Sequence, residues 1–390
     1  MHLTFRNVND AFLGLVKGIF EGTIPTTTMA SRNGEVQVVE EPVIITYEKP
    51  MEKVLFNQAR DANPFFHLYE ALWMLAGRND VAPLAYYNKK IAQYSDNGET
   101  FNGAYGYRWR HASAHMSEVN QLEILIQHLR KKPESRRAVL QMWNVGDDLI
   151  MINASKDVCC NLSVCFSIEL GTCRKCKGEG RIYDPTGGYW TKCFGCHSQP
   201  EEQPHYLNMT VFNRSNDAIW GMLGANAVHF AFLQEYVAAN LGLEVGRYHQ
   251  ITSNLHVYSN NWKPEEWLKE ESTDRSYPTG IPLVHDCRVF EEELFRFVEH
   301  NKDGELLNGK EVWEEPFLND VAQPMCHAFY MQKNRDHPAA YEWLRRVKAD
   351  DWRRVGMKWL RRRVDARARK EREKNLIRRE VEGYDPDLMV

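Results

Sequence analysis

A chain of 390 residues with 43% hydrophobic and 12% aromatic content can bury a sizeable core, either as one large domain or as a core with appendages. Its formal net charge of -4 gives no global attraction to nucleic acid or to an anionic membrane surface. No stretch approaches the roughly 18 consecutive apolar residues that cross a bilayer, and the apolar N-terminus carries Asp10 and no small-residue cleavage site, so a cytoplasmic protein with no signal peptide and no membrane partner is expected.

Residues 64–78 (PFFHLYEALWMLAGR) repeat apolar side chains at helical spacing and stop at Gly77, which predicts a buried amphipathic helix. Glu70 is a carboxylate on that apolar helix; burying it without a partner is costly, so it is expected to have a functional role. Strands are predicted over 138–143 (AVLQMW), 162–170 (LSVCFSIEL) and 207–214 (LNMTVFNR), which are alternating or nearly continuous apolar runs. A second helix is predicted over 226–240, ending near Gly242. Helices and strands mix without regular βαβ repetition or a glycine-rich phosphate loop, which predicts an α+β fold.

Residues 171–204 interrupt the strands with a Gly-, Cys- and charge-rich insert. The chain has nine cysteines, an odd number that argues against a disulfide framework and for metal and thiol chemistry. Cys173, Cys176, Cys193 and Cys196 form two Cys-x-x-Cys pairs with 16 residues between them, the spacing of a structural zinc ribbon, with His197 as an alternative ligand. From about 338 the chain is helical in propensity and strongly basic. That segment is expected to dock through Trp343, Trp352, Met357, Trp359 and Leu360, or else to contact nucleic acid or a protein partner. The expected organisation is a catalytic core over 1–262, interrupted by the zinc insert, and a helical, basic C-terminal extension over 263–390.

Chemistry-bearing residues gather at predicted strand ends. Arg214 beside Ser215 suits phosphate, because guanidinium pairs with it bidentately and the hydroxyl adds a donor. Period-two alternation puts His256 and Tyr258 on one face of an extended segment, where they can grip a sugar hydroxyl. Arg136 and Arg137 precede one strand, and Cys159-Cys160-Asn161 opens another. A thiol so placed becomes a nucleophile when nearby cations lower its pKa.

The order and spacing of SRRAVLQMWNVGDDL, CCNLSVCF, NRSNDAIWG with GANAVHFAFLQEYVAANLGLEVG, and NLHVYSNN resemble the thymidylate synthase family, including its phage nucleotide hydroxymethylase branch. The resemblance runs from about Arg32 to Trp262, apart from the cysteine insert. It implies a mixed β-sheet core with packed helices, and folate-dependent transfer of one carbon to C5 of a deoxypyrimidine monophosphate. Cys160 matches the nucleophile that adds to C6 of the base, and is preferred to Cys159 because Val164 and Phe166 then fall on the family's apolar positions. Arg214, Ser215 and Arg32 match phosphate ligands. Arg136 and Arg137 match the pair that reaches the neighbour's phosphate, which implies a homodimer with shared active sites. His256 and Tyr258 match the residues that hold the 3'-hydroxyl. Asp217 matches the carboxylate on the folate pterin, Glu70 the acid that organises water, and Tyr105 the tyrosine linked to loss of the C5 proton. The implied cosubstrate is 5,10-methylenetetrahydrofolate.

Three departures bear on substrate and product. Asn161 stands where synthases carry histidine. Ile91-Ala92-Gln93-Tyr94 stands where they carry two tryptophans that keep water from the exocyclic methylene, which favours a hydroxymethyl product. Counting back from Leu243-Glu244-Val245-Gly246 puts Asn226 on the base-reading position, whereas counting forward from Asp217 reaches Ala225. Insertions collect in turns, so the helix count is preferred, and an asparagine there suits uracil. The expected activity is a dUMP hydroxymethylase, with dCMP hydroxymethylase and thymidylate synthase as alternatives. A nucleic-acid-binding relative is disfavoured, because a pure binding module has no use for a nucleophile. The end of the chain, Glu382-Gly383-Tyr384-Asp385-Pro386 to Val390, is similar to the synthase tail that closes over folate.

Overall fold

The computed structural model describes residues 1–114, 117–169, 176, 179–185, 187–193, 205–270, 277–303 and 311–382, with 375–382 as helical backbone. The chain opens with β1 (His2–Phe5), α1 (Val8–Phe20), the hairpin of β2 (Thr26–Ser31) and β3 (Gly34–Val39), and β4 (Val43–Tyr47). Then come α2 (Pro64–Leu75), α3 (Val81–Tyr87), α4 (Tyr105–Arg110), the short pair β5 (Ala112–Ala114) and β6 (Ser117–Val119), and α5 (Gln121–Lys131). Strands β7 (Val139–Gln141) and β8 (Asn161–Glu169) precede the insert, which contributes the antiparallel pair β9 (Arg181–Asp184) and β10 (Tyr189–Lys192). β11 (Tyr206–Asp217), α6 (Asn226–Leu241) and β12 (Glu244–Tyr258) follow, then α7 (Pro264–Lys269), α8 (Cys287–His300), α9 (Gln323–Lys333), α10 (His337–Arg346) and α11 (Asp350–Glu382).

The two helices expected from apolar spacing and closing glycines form at the centre of the fold, and the structure adds the signals at their starts. Asn63 caps α2 by accepting from the N–H groups of Phe65 and Phe66, Pro64 stands at the first turn, and Gly77 turns the chain away at φ +70. Gly242 ends α6 in the left-handed conformation at φ 68. Both helices are apolar nearly all round, as befits helices surrounded by protein.

Eight strands make one mixed sheet in the order β1-β4-β12-β11-β8-β7, with β3 on the far end of β12 and β2 on β3. β12 is parallel to β11, and β8 is antiparallel to it. The carboxyl ends of β11 and β12 therefore lie beside the start of β8, and this one edge gathers Arg214, Asp217, His256 and the residue before Asn161. Sequence pattern showed only the last few residues of β12. Its first part alternates polar groups such as Gln250 and Thr252, which are buried, so hydropathy hides a strand that pairs with both β4 and β3.

Residues beyond 262 join the same apolar cluster as α2 and α6. Phe232 of α6 meets Phe317 at 5.6 Å and Trp352 at 6.2 Å, and Phe65 of α2 meets Trp359 at 5.2 Å. A buried polar network anchors this junction. Lys53 pairs with Glu235 at 2.7 Å, Glu235 also accepts from the N–H of Leu283, and Tyr277 donates to Asp351 at the start of α11. Burial pushes the Asp351 carboxyl up to about 6. Over 361–374 α11 is largely exposed, with Arg362 and Arg363 on Asp61. No helix among the described residues is long and apolar enough to cross a membrane.

The expected zinc ribbon falls partly outside the described residues. Cys173, Cys196 and His197 lie outside the described residues, as does the 383–390 tail. Cys176 and Cys193 are buried together with Ile182 packed on them, and among the described residues no group of three or more potential ligands is placed to hold a metal.

Candidate active site

A cavity of about 610 Å³ opens at the junction of β8, β11 and β12, and Cys160, Arg32, Arg214, Ser215, Asp217, Asn226, His256, Tyr258 and Tyr105 all line it. A second cavity of about 270 Å³ continues beneath, sharing Cys160, Asn226, Tyr94 and Tyr105 and adding Glu70. A larger opening of about 890 Å³, bounded by Trp143 and the 95–102 turn, is lined by none of the candidate site residues named from the sequence, so chemistry rather than size assigns the site.

The turn that carries Cys160 is held by several buried or half-buried bonds. Arg108 and Asp148 form a buried ion pair, and Asp148 accepts from the N–H of Cys159 at 3.0 Å. Arg214 donates from Nε to the carbonyl of Cys159 and from Nη2 to that of Val158, both at 2.9 Å, and its Nη2 also lies 3.5 Å from the Cys160 Sγ. One guanidinium thus positions the turn and faces the sulfur. Burial raises the Cys160 pKa, Arg214 and Arg32 pull it down, and Asp157 pushes it up. Cys159 is 1% exposed, its thiol donates to the carbonyl of Asn161, and burial drives its pKa far up, so it stays protonated.

Arg32 comes from the β2–β3 turn and donates to the Lys156 carbonyl at 2.8 Å. His256 and Tyr258 sit at the end of β12 with their rings edge-to-face at 5.4 Å, and Asp217 lies beside His256 in the parallel register. Asp217 Oδ1 accepts from the N–H groups of Ile219 and Trp220. Burial raises its pKa, while those donors, His256 and Arg60 hold it down. Tyr105 starts α4, and burial together with the neighbouring Cys160 keeps its hydroxyl protonated. Gly106 is required next to it, since a Cβ there would stand 1.8 Å from the Met74 carbonyl oxygen.

Asn226 lines the 610 Å³ cavity with Cys160, whereas Ala225 lines only the smaller one beneath. The extra residue before it is absorbed in a widened helical segment over 218–225 that breaks at Gly224. The Asn226 amide is oriented by a chain of three hydrogen bonds. Gln250 donates to the Met222 carbonyl at 3.1 Å, Asn216 donates to the Gln250 carbonyl oxygen at 3.4 Å, and Asn226 donates to that of Asn216 at 3.3 Å. A backbone carbonyl can only accept, so every amide in the series has a fixed direction. Gly221 makes room for it, since a Cβ would meet Asn216 Oδ1 at 2.4 Å.

Arg136 and Arg137 are exposed on the turn before β7, and neither lines the cavity within one chain. The structure also brings in residues the sequence reading passed over. Asp157 accepts from Gly103 N–H at 2.7 Å beside Cys160. His229 stands 3.0 Å from Glu70. A histidine inside an apolar helix, three residues past Asn226, was the available signal for the second.

The sequence profile of the thymidylate synthase family matches residues 59–280. A deoxyuridylate hydroxymethyltransferase of Pseudomonas phage M6 is 38% identical over 94% of this chain and 96% of its own length. One from Bacillus phage SP01 is 34% identical over 68% of this chain and 61% of its own length. A putative thymidylate synthase of Methanothermobacter thermautotrophicus is 28% identical over 57% of this chain and 79% of its own length.

Proposed function

Because the chain belongs to the thymidylate synthase family, we propose that it converts dUMP to 5-hydroxymethyl-dUMP with 5,10-methylenetetrahydrofolate as one-carbon donor. The observation that carries this reading is a Cys160 thiol facing Arg214 in a cavity whose base-reading amide is locked in one orientation. Arg214, Ser215 and Arg32 would hold the phosphate, and His256 and Tyr258 the sugar hydroxyl. Asn226 has its carbonyl oxygen and one amide N–H left for the base, which match N3–H and O4 of uracil.

Methylenetetrahydrofolate would supply the one-carbon unit that C5 attacks. The cavity fits a pterin, because Asp217 has its second carboxylate oxygen free of the backbone donors that hold the first. Cys160 adds to C6, and its electrons make C5 nucleophilic. Tyr105 stands where it can help the C5 proton leave through water. The rim over 89–94 presents Ala92 and a 42% exposed Tyr94 where a methylating synthase has tryptophans, so water reaches the exocyclic methylene carbon.

Arg136 and Arg137 would complete a partner's phosphate site, which makes the active species a homodimer; their exposure away from their own cavity supports this. The cysteine spacing supports zinc in the insert, with a structural role. The decisive experiment incubates the protein with methylenetetrahydrofolate and either dUMP or dCMP and weighs the nucleotide product. A gain of a hydroxymethyl group on dUMP is expected; a methyl group with dihydrofolate released, or reaction of dCMP alone, refutes the proposal.

A further inference from the structure

The small cavity beneath the nucleotide site is lined by two ionisable groups from the largely apolar helices α2 and α6. Glu70 projects from α2, and His229 from the first turn of α6, on the face that carries Asn226. His229 is 4% exposed, and its Nε2 lies 3.0 Å from the Glu70 Oε2. The approach is off-line for a hydrogen bond, and neither atom has an aligned partner in the protein. Such a pair is costly inside apolar packing unless something else completes its bonding. The cavity they line is large enough for water and shares Cys160, Asn226 and Tyr94 with the nucleotide site.

We propose that His229, with Glu70, is the base that takes the proton from the water that attacks the exocyclic methylene carbon. This rests on the hydroxymethylase reading above. In the step, the water oxygen forms a bond to the methylene carbon, its proton passes to the imidazole, and the displaced electron pair moves onto O4 as an enolate. The enolate then forms C5=C6 as the bond from C6 to the Cys160 sulfur breaks, and the thiolate leaves. Nothing is oxidised or reduced, so the folate departs as tetrahydrofolate. Glu70 orients the ring and stabilises the imidazolium that forms. The arrangement assigns two tasks to two layers: the upper cavity builds the methylene intermediate, and the lower one hydrates it.

The test uses single turnovers with enzyme in excess over dUMP tritiated at C5, comparing wild type with His229→Ala and His229→Gln. Tritium release reports every step up to the methylene intermediate; mass analysis reports its hydration. A general base typically contributes about 100- to 10,000-fold, so hydroxymethyl-dUMP formation should fall by at least about 100-fold while tritium release stays within about tenfold. Added 2-mercaptoethanol should then be captured at the methylene carbon, giving a thioether product in both variants. Equal loss of release and product, unchanged product, or recovery in His229→Gln, which keeps hydrogen bonding without basicity, overturns the proposal. Wild type yielding dTMP would instead defeat the hydroxymethylase reading itself.

Discussion

Replacing Gln250 by methionine should erode the preference for uracil over cytosine without touching any group that contacts nucleotide. Gln250 is fully buried, and its amide transmits the direction of the Met222 carbonyl through Asn216 to Asn226. Cytosine presents an acceptor at N3 and a donor at C4, the reverse of uracil, so binding it requires the Asn226 amide to flip. In the native protein that flip sets two carbonyl oxygens, of Asn226 and Asn216, against each other. One hydrogen bond is lost and buried acceptors are left unpaired, together about 2 kcal/mol, or roughly 30-fold in discrimination. Methionine conserves volume but neither donates nor accepts as the amide does, so Asn216 can turn to suit either orientation. The ratio of kcat/KM for dUMP over dCMP, measured by tritium release from C5, should fall by up to that factor. A ratio within twofold of wild type, in a variant that retains its thermal transition, would refute the reasoning.

Iodoacetamide should alkylate Cys160 of the ligand-free enzyme with a rate that rises with pH through a midpoint above that of an ordinary thiol, because burial is the largest influence on it. Arg214→Leu, which removes the cation that favours the thiolate, should shift that midpoint further up; a downward shift would contradict the assignment. Cys160→Ser should lose all turnover while Cys159→Ser retains it, and the reverse result in a product assay would transfer the nucleophile's role. Asp351 has a folded pKa raised to about 6 against about 4 unfolded, so the native state binds the extra proton between those values. Stability should therefore be greatest below that window and fall by on the order of 3 kcal/mol as pH rises through it. Asp351→Asn should flatten that part of the melting profile, and an unaltered profile would show that the carboxyl does not titrate there. Elemental analysis of the purified protein should find one zinc per chain, lost in a Cys173→Ser, Cys176→Ser double variant; a zinc-free, fully folded and active protein would dispose of the metal site.

Hydropathy and the closing glycines made the two central helices readable, because Gly77 and Gly242 act within a turn of themselves. The strands over 161–169 and 206–217 were legible for a similar reason, since their apolar runs face packing on the sheet. Motif order carried Cys160, Arg214, Asp217, Asn226, His256 and Tyr258, and the fold gathers all six around one cavity. Local pattern failed where polar groups are buried. Most of β12 went unread because Gln250 and Thr252 lie inside, and Gln250 finds its bonding partners in distant segments.

The sequence by itself determined the family and the order of the motifs that end up along the strand ends, since each is fixed by covalent spacing. Only the tertiary structure decided that Asn226 reaches the upper cavity while Ala225 lines only the lower one, that the Asn226 amide points one way, and that His229 meets Glu70. Those outcomes depend on which side chains from far-apart segments complete one another's hydrogen bonds once water is excluded, and linear spacing carries no record of that pairing.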